Sequence, residues 1–228
     1  MFEKNGIISN ERQVEALNEF AILLLQWNKK VNLISRKDED NILWKHVFGS
    51  LLLMSKINFE MQSRVIDVGT GGGFPGIPLA ICLPELQFTL VDSIKKKINV
   101  VSDIITQLSL KNAVAICSRA ESLSETREHK GRYDYVVARA VAPVNDIVRW
   151  SKNFLKINHK KGTENTKQKC VTNFEKGVIV IFKGGDITQE IRETEIKQKP
   201  KSIEIVPLVV NGMDTFDFTD KKIVLVRP

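Results

Sequence analysis

The chain has 228 residues, about one and a half typical domains, and its 43% apolar and 27% charged side chains are the balance of an ordinary globular protein in water. The net charge is +7, and it is uneven: residues 1–64 and 65–139 each hold nine basic and eight acidic side chains, whereas residues 140–228 hold 16 and 11, so a polyanion-facing surface is expected in the last third. No apolar stretch approaches the roughly 18 residues of a membrane helix, and the three cysteines (Cys82, Cys117, Cys170) and three histidines (His46, His129, His159) lack the spacing of a disulfide framework or a usual zinc site.

The opening residues Met1-Phe2-Glu3-Lys4-Asn5-Gly6 carry an acid and no apolar core, so no secretory signal is read there and a soluble cytoplasmic protein is expected. Asn10 with Gln13 three positions on predicts a capped helix start. Val14, Leu17, Phe20, Leu24, Trp27 and Val31 continue it as one amphipathic face. A second helix is expected from about Asp38, burying Ile42, Leu43, Val47, Leu51 and Met54. Residues 1–63 therefore read as a helical cap and residues 64–228 as a second, α/β domain.

Residues 65–68 form a short apolar strand, followed by glycines and a helix over 78–83. Strands are predicted at 88–91, 113–117, 133–138 and 178–182, with helices at 94–110 and 144–155. That alternation implies a parallel sheet with right-handed crossovers. Residues 203–210 and 222–226 read as a closing strand pair, and the lysine-rich stretch 156–176 as a long loop. Cys82 and Cys117, in apolar runs, are expected as core thiols.

The strongest chemical signal is Asp67-Val68-Gly69-Thr70-Gly71-Gly72-Gly73-Phe74-Pro75-Gly76. Glycines between a strand and a helix let the backbone approach a ligand, and Asp92, at the end of the next strand, stands where a ribose-binding acid belongs. A nucleoside-bearing cofactor is expected. Pro75 supplies no N–H at the helix start, which tilts away from a pyrophosphate and toward S-adenosylmethionine, with an NAD(P)-dependent reductase as the alternative.

The run DVGTGGGFPGIPLA, followed by LVDSIKKK, SRAESL and VVARAVAP, resembles the RsmG (GidB) family of bacterial small-subunit rRNA methyltransferases in order and spacing over residues 27–150. Trp27-Asn28-Lys29, Asn32-Leu33 and Phe182-Lys183-Gly184 extend the likeness in both directions. The resemblance implies a Rossmann-like class I S-adenosylmethionine-dependent methyltransferase with a helical N-terminal extension. Its implied reaction is methylation of N7 of a guanine in the 530 loop of 16S rRNA, by a monomer acting on the RNA or the small ribosomal subunit. It further implies cofactor contacts from Gly69, Gly71 and Phe74, ribose contacts from Asp92, adenine contacts from Ala120 and Glu121, and Arg139 close to the transferred methyl. A non-catalytic RNA-binding protein of the same fold is the other alternative. Where the family writes R-H-x-x-D-S, this chain has Lys45-His46-Val47-Phe48-Gly49-Ser50, so no role passes to an acid at position 49. Guanine N7 has a free lone pair, so no general base is expected, and Phe74, Trp44 and Arg139 are candidates to hold the base.

Overall fold

The computed structural model describes residues 5, 7, 10–156, 176–210, 218 and 220–228, so Cys170, His159 and most of the lysine-rich stretch lie outside the described residues. Helix α1 (Glu11–Asn28) starts on the expected reciprocal cap. Asn10 Oδ1 accepts from Gln13 N at 2.9 Å, and Asn10 N donates to Gln13 Oε1 at 3.0 Å. The helix ends on a buried Asn28, whose side-chain oxygen accepts from the N–H groups of Leu33 (2.8 Å) and Ile34 (3.0 Å). That amide shapes the turn that follows.

The expected second helix is instead an irregular run: a 3-10 segment (Arg36–Asn41), a π-helical segment (Ile42–Phe48), one short α-helix, α2 (Gly49–Leu51), and a second 3-10 segment (Leu52–Ser55). Ile42, Val47 and Leu51 are buried as expected, but Leu43 is 39% exposed. The wider π winding turns it away from the face that a straight helix would bury.

A seven-stranded sheet lies behind these helices. Its strands are β1 (Arg64–Val68), β2 (Gln87–Asp92), β3 (Ala113–Cys117), β4 (Tyr135–Arg139), β5 (Val178–Lys183), β6 (Ser202–Pro207) and β7 (Lys222–Arg227). Their order is β3-β2-β1-β4-β5-β7-β6. The first five are parallel, and β7 runs antiparallel between β5 and β6. Tyr133, expected in a strand, only bridges Leu155, and the strand expected over 203–210 stops at Pro207.

Alternate residues of each central strand serve opposite faces. Tyr135, Val137, Val178 and Val180 join the cluster that contains Phe20, Phe48, Ile77 and Ile104, beneath α1, α3 (Gly76–Cys82) and α4 (Lys95–Gln107). Val136, Ala138, Ile179 and Ile181 join Val144, Ile147 and Val148 of α6 (Val144–Ser151) on the other face. Two helices escape the sequence reading: α5 (Ala120–Leu123) and α7 (Thr188–Gln198), which packs beside α6. Cys82 is buried, but Cys117 is exposed, a correction that follows from β3 being the sheet's edge strand. Among the described residues no helix is long and apolar enough to cross a membrane.

Candidate functional site

The carboxyl ends of β1, β2 and β4 meet where the strand order reverses, the position at which open parallel sheets bind ligands. There the loop after β1 is held by a buried acid. Asp67 Oδ2 accepts from Thr70 Oγ1 at 2.7 Å and from Gly76 N at 2.9 Å, while its Oδ1 is buried without a hydrogen-bond partner. A Cβ at position 76 would stand 2.7 Å from that Oδ2, so only glycine fits. Burial pushes the Asp67 carboxyl up to about 7, against the opposing effect of its two donors.

Gly71 has φ +57° and no atom nearer than 4.0 Å to where a Cβ would be, so the loop backbone is open on that side. Its N–H donates to Asp92 Oδ2 at 3.0 Å, and Ile94 N donates to Asp92 Oδ1 at 2.9 Å. The carboxylate is thereby oriented, with lone pairs left for further donors. A cavity of about 660 Å³ opens here. Gly69, Gly71, Phe74, Asp92, Ala120, Glu121 and Arg139, all named from the sequence, line it together. Such a volume holds a nucleoside-sized ligand. The start of α3 offers no N–H to a phosphate: Gly76 N is given to Asp67, Ile77 N to Gly73 O, and Pro75 and Pro78 have none. The donor set fits a cofactor with a ribose and no phosphate.

Arg139 lines this cavity and also reaches across to the helical layer. Its Nη1 donates to His46 O and Ser50 Oγ, each at 3.0 Å, and its Nη2 donates to Lys45 O at 2.7 Å and lies 3.3 Å from His46 Nδ1. The guanidinium thus clasps the π-helical run, with its carbon 5.8 Å from the Phe74 ring centre and 6.0 Å from that of Phe182. Burial lowers its pKa to about 10, which leaves it cationic at neutral pH. Burial and the nearby Arg139 charge take His46 down to about 4, so its ring is neutral. A neutral ring that meets the Arg139 donor through Nδ1 carries its proton on Nε2.

His46, Arg139 and Ala140 also line a second cavity, of about 520 Å³. Phe182, Leu208 and Phe218 supply its apolar lining, and Asp38, Lys45, Lys183 and Lys221 its charged groups. Leu208, Phe218 and Lys221 carry no motif, so nothing local in the sequence marks them. Trp44, a candidate to hold a base, packs on Phe48 (5.9 Å between centres) and is not among the residues lining either cavity. Phe74 is buried between Phe20 (5.2 Å) and His46 (5.1 Å), at the edge of the first cavity. Lys156 pairs with Asp134 at 2.9 Å, ahead of β4 and at the opposite end of the sheet from the cavities.

The fold is that of the Rossmann-like class I methyltransferases. It is similar to an S-adenosylmethionine-dependent O-methyltransferase from Thermotoga maritima (TM-score 0.51, 16% identity, 90% of this chain and 71% of that one). It is also similar to a predicted O-methyltransferase from Agrobacterium tumefaciens (TM-score 0.54, 15% identity, 78% and 79%). Sequence comparison is more specific. The profile described as rRNA small subunit methyltransferase G matches residues 13–169. Relatives named ribosomal RNA small subunit methyltransferase G include one from Flavobacterium johnsoniae, 41% identical over 181 residues (79% of this chain, 78% of the relative). Another, from Chlorobium luteolum, is 39% identical over 226 residues (96% and 84%). The chain belongs to the rRNA small subunit methyltransferase G family.

Proposed function

We propose that this chain methylates N7 of a guanine in the 530 loop of 16S rRNA, with S-adenosylmethionine as donor. The reading takes it to act as a monomer in the cytoplasm, on the RNA or the small ribosomal subunit. It treats residues 1–63 as a helical extension of a methyltransferase domain over 64–228. The single observation that supports it is a cavity of nucleoside size, bounded by Asp92 and the glycine loop and with no free N–H at the start of α3, opening beside a second cavity across His46 and Arg139.

When bound, the cofactor supplies an electrophilic methyl carbon: its bond to N7 forms as the carbon–sulfur bond breaks, sulfur keeps the electron pair, and the positive charge passes to the base without loss of a proton. The residues of the chain bind and align. Asp92 would accept the ribose hydroxyls on the lone pairs that Gly71 and Ile94 leave open. Gly69 and Phe74, which line the same cavity, would contact the cofactor from the glycine loop, and Ala120 and Glu121 would lie beside its adenine. Arg139 is a positioning residue that fixes the π-helical run between the two cavities, close to where the methyl moves. His46, neutral, is no proton carrier near pH 7. Alignment of this kind contributes about 7–11 kcal/mol to barrier lowering.

The test is incubation of unmethylated small subunits, and of free 16S rRNA, with the protein and S-adenosylmethionine, followed by chemical cleavage at N7-methylguanine. One new cleavage in the 530 loop is expected. Methyl incorporation elsewhere, or on another atom, refutes the assignment of the target, and no incorporation refutes the activity.

A further inference from the structure

We propose that the second cavity receives the target base and that Asp38 reads it as guanine; this rests on the methyltransferase reading above. The cavity abuts the cofactor cavity through His46, Arg139 and Ala140, so a ring seated there lies next to the donor. Phe182, Leu208 and Phe218 offer apolar surface to the ring faces. Gly49 keeps that space open. A Cβ there would stand 3.3 Å from the Phe218 ring and 3.8 Å from Arg139 Nη1.

The polar lining selects the base. Asp38 is the one acid among the described residues lining this cavity. Its Oδ1 takes Lys45 Nζ at 2.6 Å, and its Oδ2 faces the Nε2–H of His46 at 3.5 Å. A carboxylate has about four lone-pair positions, so Asp38 retains room for two more donors. Guanine presents such a pair on its Watson–Crick edge, N1–H and the 2-amino group. Adenine has an acceptor at N1 and no 2-amino group, and pyrimidines lack the purine's N7. The same pairing leaves guanine N7, on the opposite edge, free of hydrogen bonds. Arg139 does not compete for N7, because both of its terminal nitrogens are committed to Lys45, His46 and Ser50. A base that occupies this cavity must leave its stack, so the RNA is bound with the target nucleotide extruded.

The experiment uses small subunits reconstituted with 16S rRNA carrying either guanine or inosine, which lacks the 2-amino group, at the methylated position. With the native chain, inosine should lower kcat/KM by about ten- to a hundredfold, the loss of one charge-assisted hydrogen bond. Asp38→Asn should lower kcat/KM on guanine by a similar factor and bring the guanine-to-inosine ratio close to one, with S-adenosylmethionine affinity by calorimetry unchanged. Gly49→Leu, which fills the cavity, should suppress methylation of both substrates and also leave cofactor affinity unchanged. Asp38→Asn that binds cofactor normally and keeps the native guanine-to-inosine ratio overturns the proposal. A native chain that binds cofactor but methylates neither substrate overturns the methyltransferase reading itself.

Discussion

Asp92 carries two backbone N–H groups on its two oxygens, and that is why one side chain both shapes the glycine loop and faces the first cavity. Asp92→Ala should weaken S-adenosylmethionine binding by about ten- to a hundredfold, equivalent to about 1.5–3 kcal/mol of charge-assisted bonding. Calorimetry decides it, and an unchanged affinity would remove Asp92 from the site. Asp67 and His46 make opposite demands on pH. Asp67 is raised from 3.8 to about 7, so as pH rises through that window the unfolded chain releases a proton that the native chain keeps, and stability falls. His46 is lowered from 6.5 to about 4, so the unfolded chain takes up a proton that the native chain refuses, and stability falls as pH drops from 6.5 to 4. Between pH 4 and 6.5 the two slopes oppose each other. Relative to the native chain, Asp67→Asn should gain stability as pH rises through 4–7, and His46→Gln should gain it as pH drops from 6.5 to 4. Urea midpoints at fixed pH measure this, and curves parallel to the native one would refute it.

Among the elements, α1 and the π-helical run hold their shape by different means. The first is set locally, through Asn10 and Gln13. Asn10→Ala should cost about 1 kcal/mol, read as a lowered urea midpoint with unchanged slope; an unmoved midpoint would mean that packing of Leu17, Phe20 and Leu24 alone sets the helix start. The π-helical run is set at a distance, because Arg139 comes from β4 to meet the carbonyls of Lys45 and His46. A lysine has one ammonium where the guanidinium has a planar fork. Arg139→Lys should therefore cost about 1–3 kcal/mol of stability. It should also lower turnover by up to about a hundredfold, the effect of an ångström-level misplacement. Turnover at the native level would show that the clasp does not position the reaction.

Across the whole molecule, one group of cations is assembled from the first two thirds of the chain. Lys29, Lys30, Arg36 and Lys97 line a depression of about 860 Å³ that shares Leu33, Ile34, Ser35 and Lys97 with the first cavity. Two of these cations stand at the end of α1 and one on the first turn of α4, so only folding brings them together. Neutralising Lys29, Lys30 and Lys97 with glutamine should reduce the slope of log K against log salt for RNA by about 0.7 for each phosphate that is no longer neutralised. Lys156→Gln should leave that slope alone, because Lys156 serves Asp134 at the far end of the sheet. Filter binding over a salt series tests both, and a slope that moves only with Lys156 would place the RNA on the other face.

What the residues determine unaided is whatever depends on neighbours in the chain. The cap at Asn10, the strands with apolar runs, the glycine loop and the strand-end acid Asp92 are local in this sense, because backbone propensity and residue periodicity act over a few positions. Helix α7 escapes prediction because its sequence, TQEIRETEIKQ, offers little apolar periodicity and packs mainly beside α6. Cys117 departs from expectation because an apolar run does not reveal that its strand lies at an edge. The π winding of residues 42–48, the commitment of Arg139 to them and the second cavity belong to tertiary structure alone. Asp38, Phe182, Leu208 and Phe218 lie on segments far apart in sequence, and only the sheet order and the helical layer bring them to one cavity. No local preference encodes such a meeting, since it follows from burying both faces of one sheet at once.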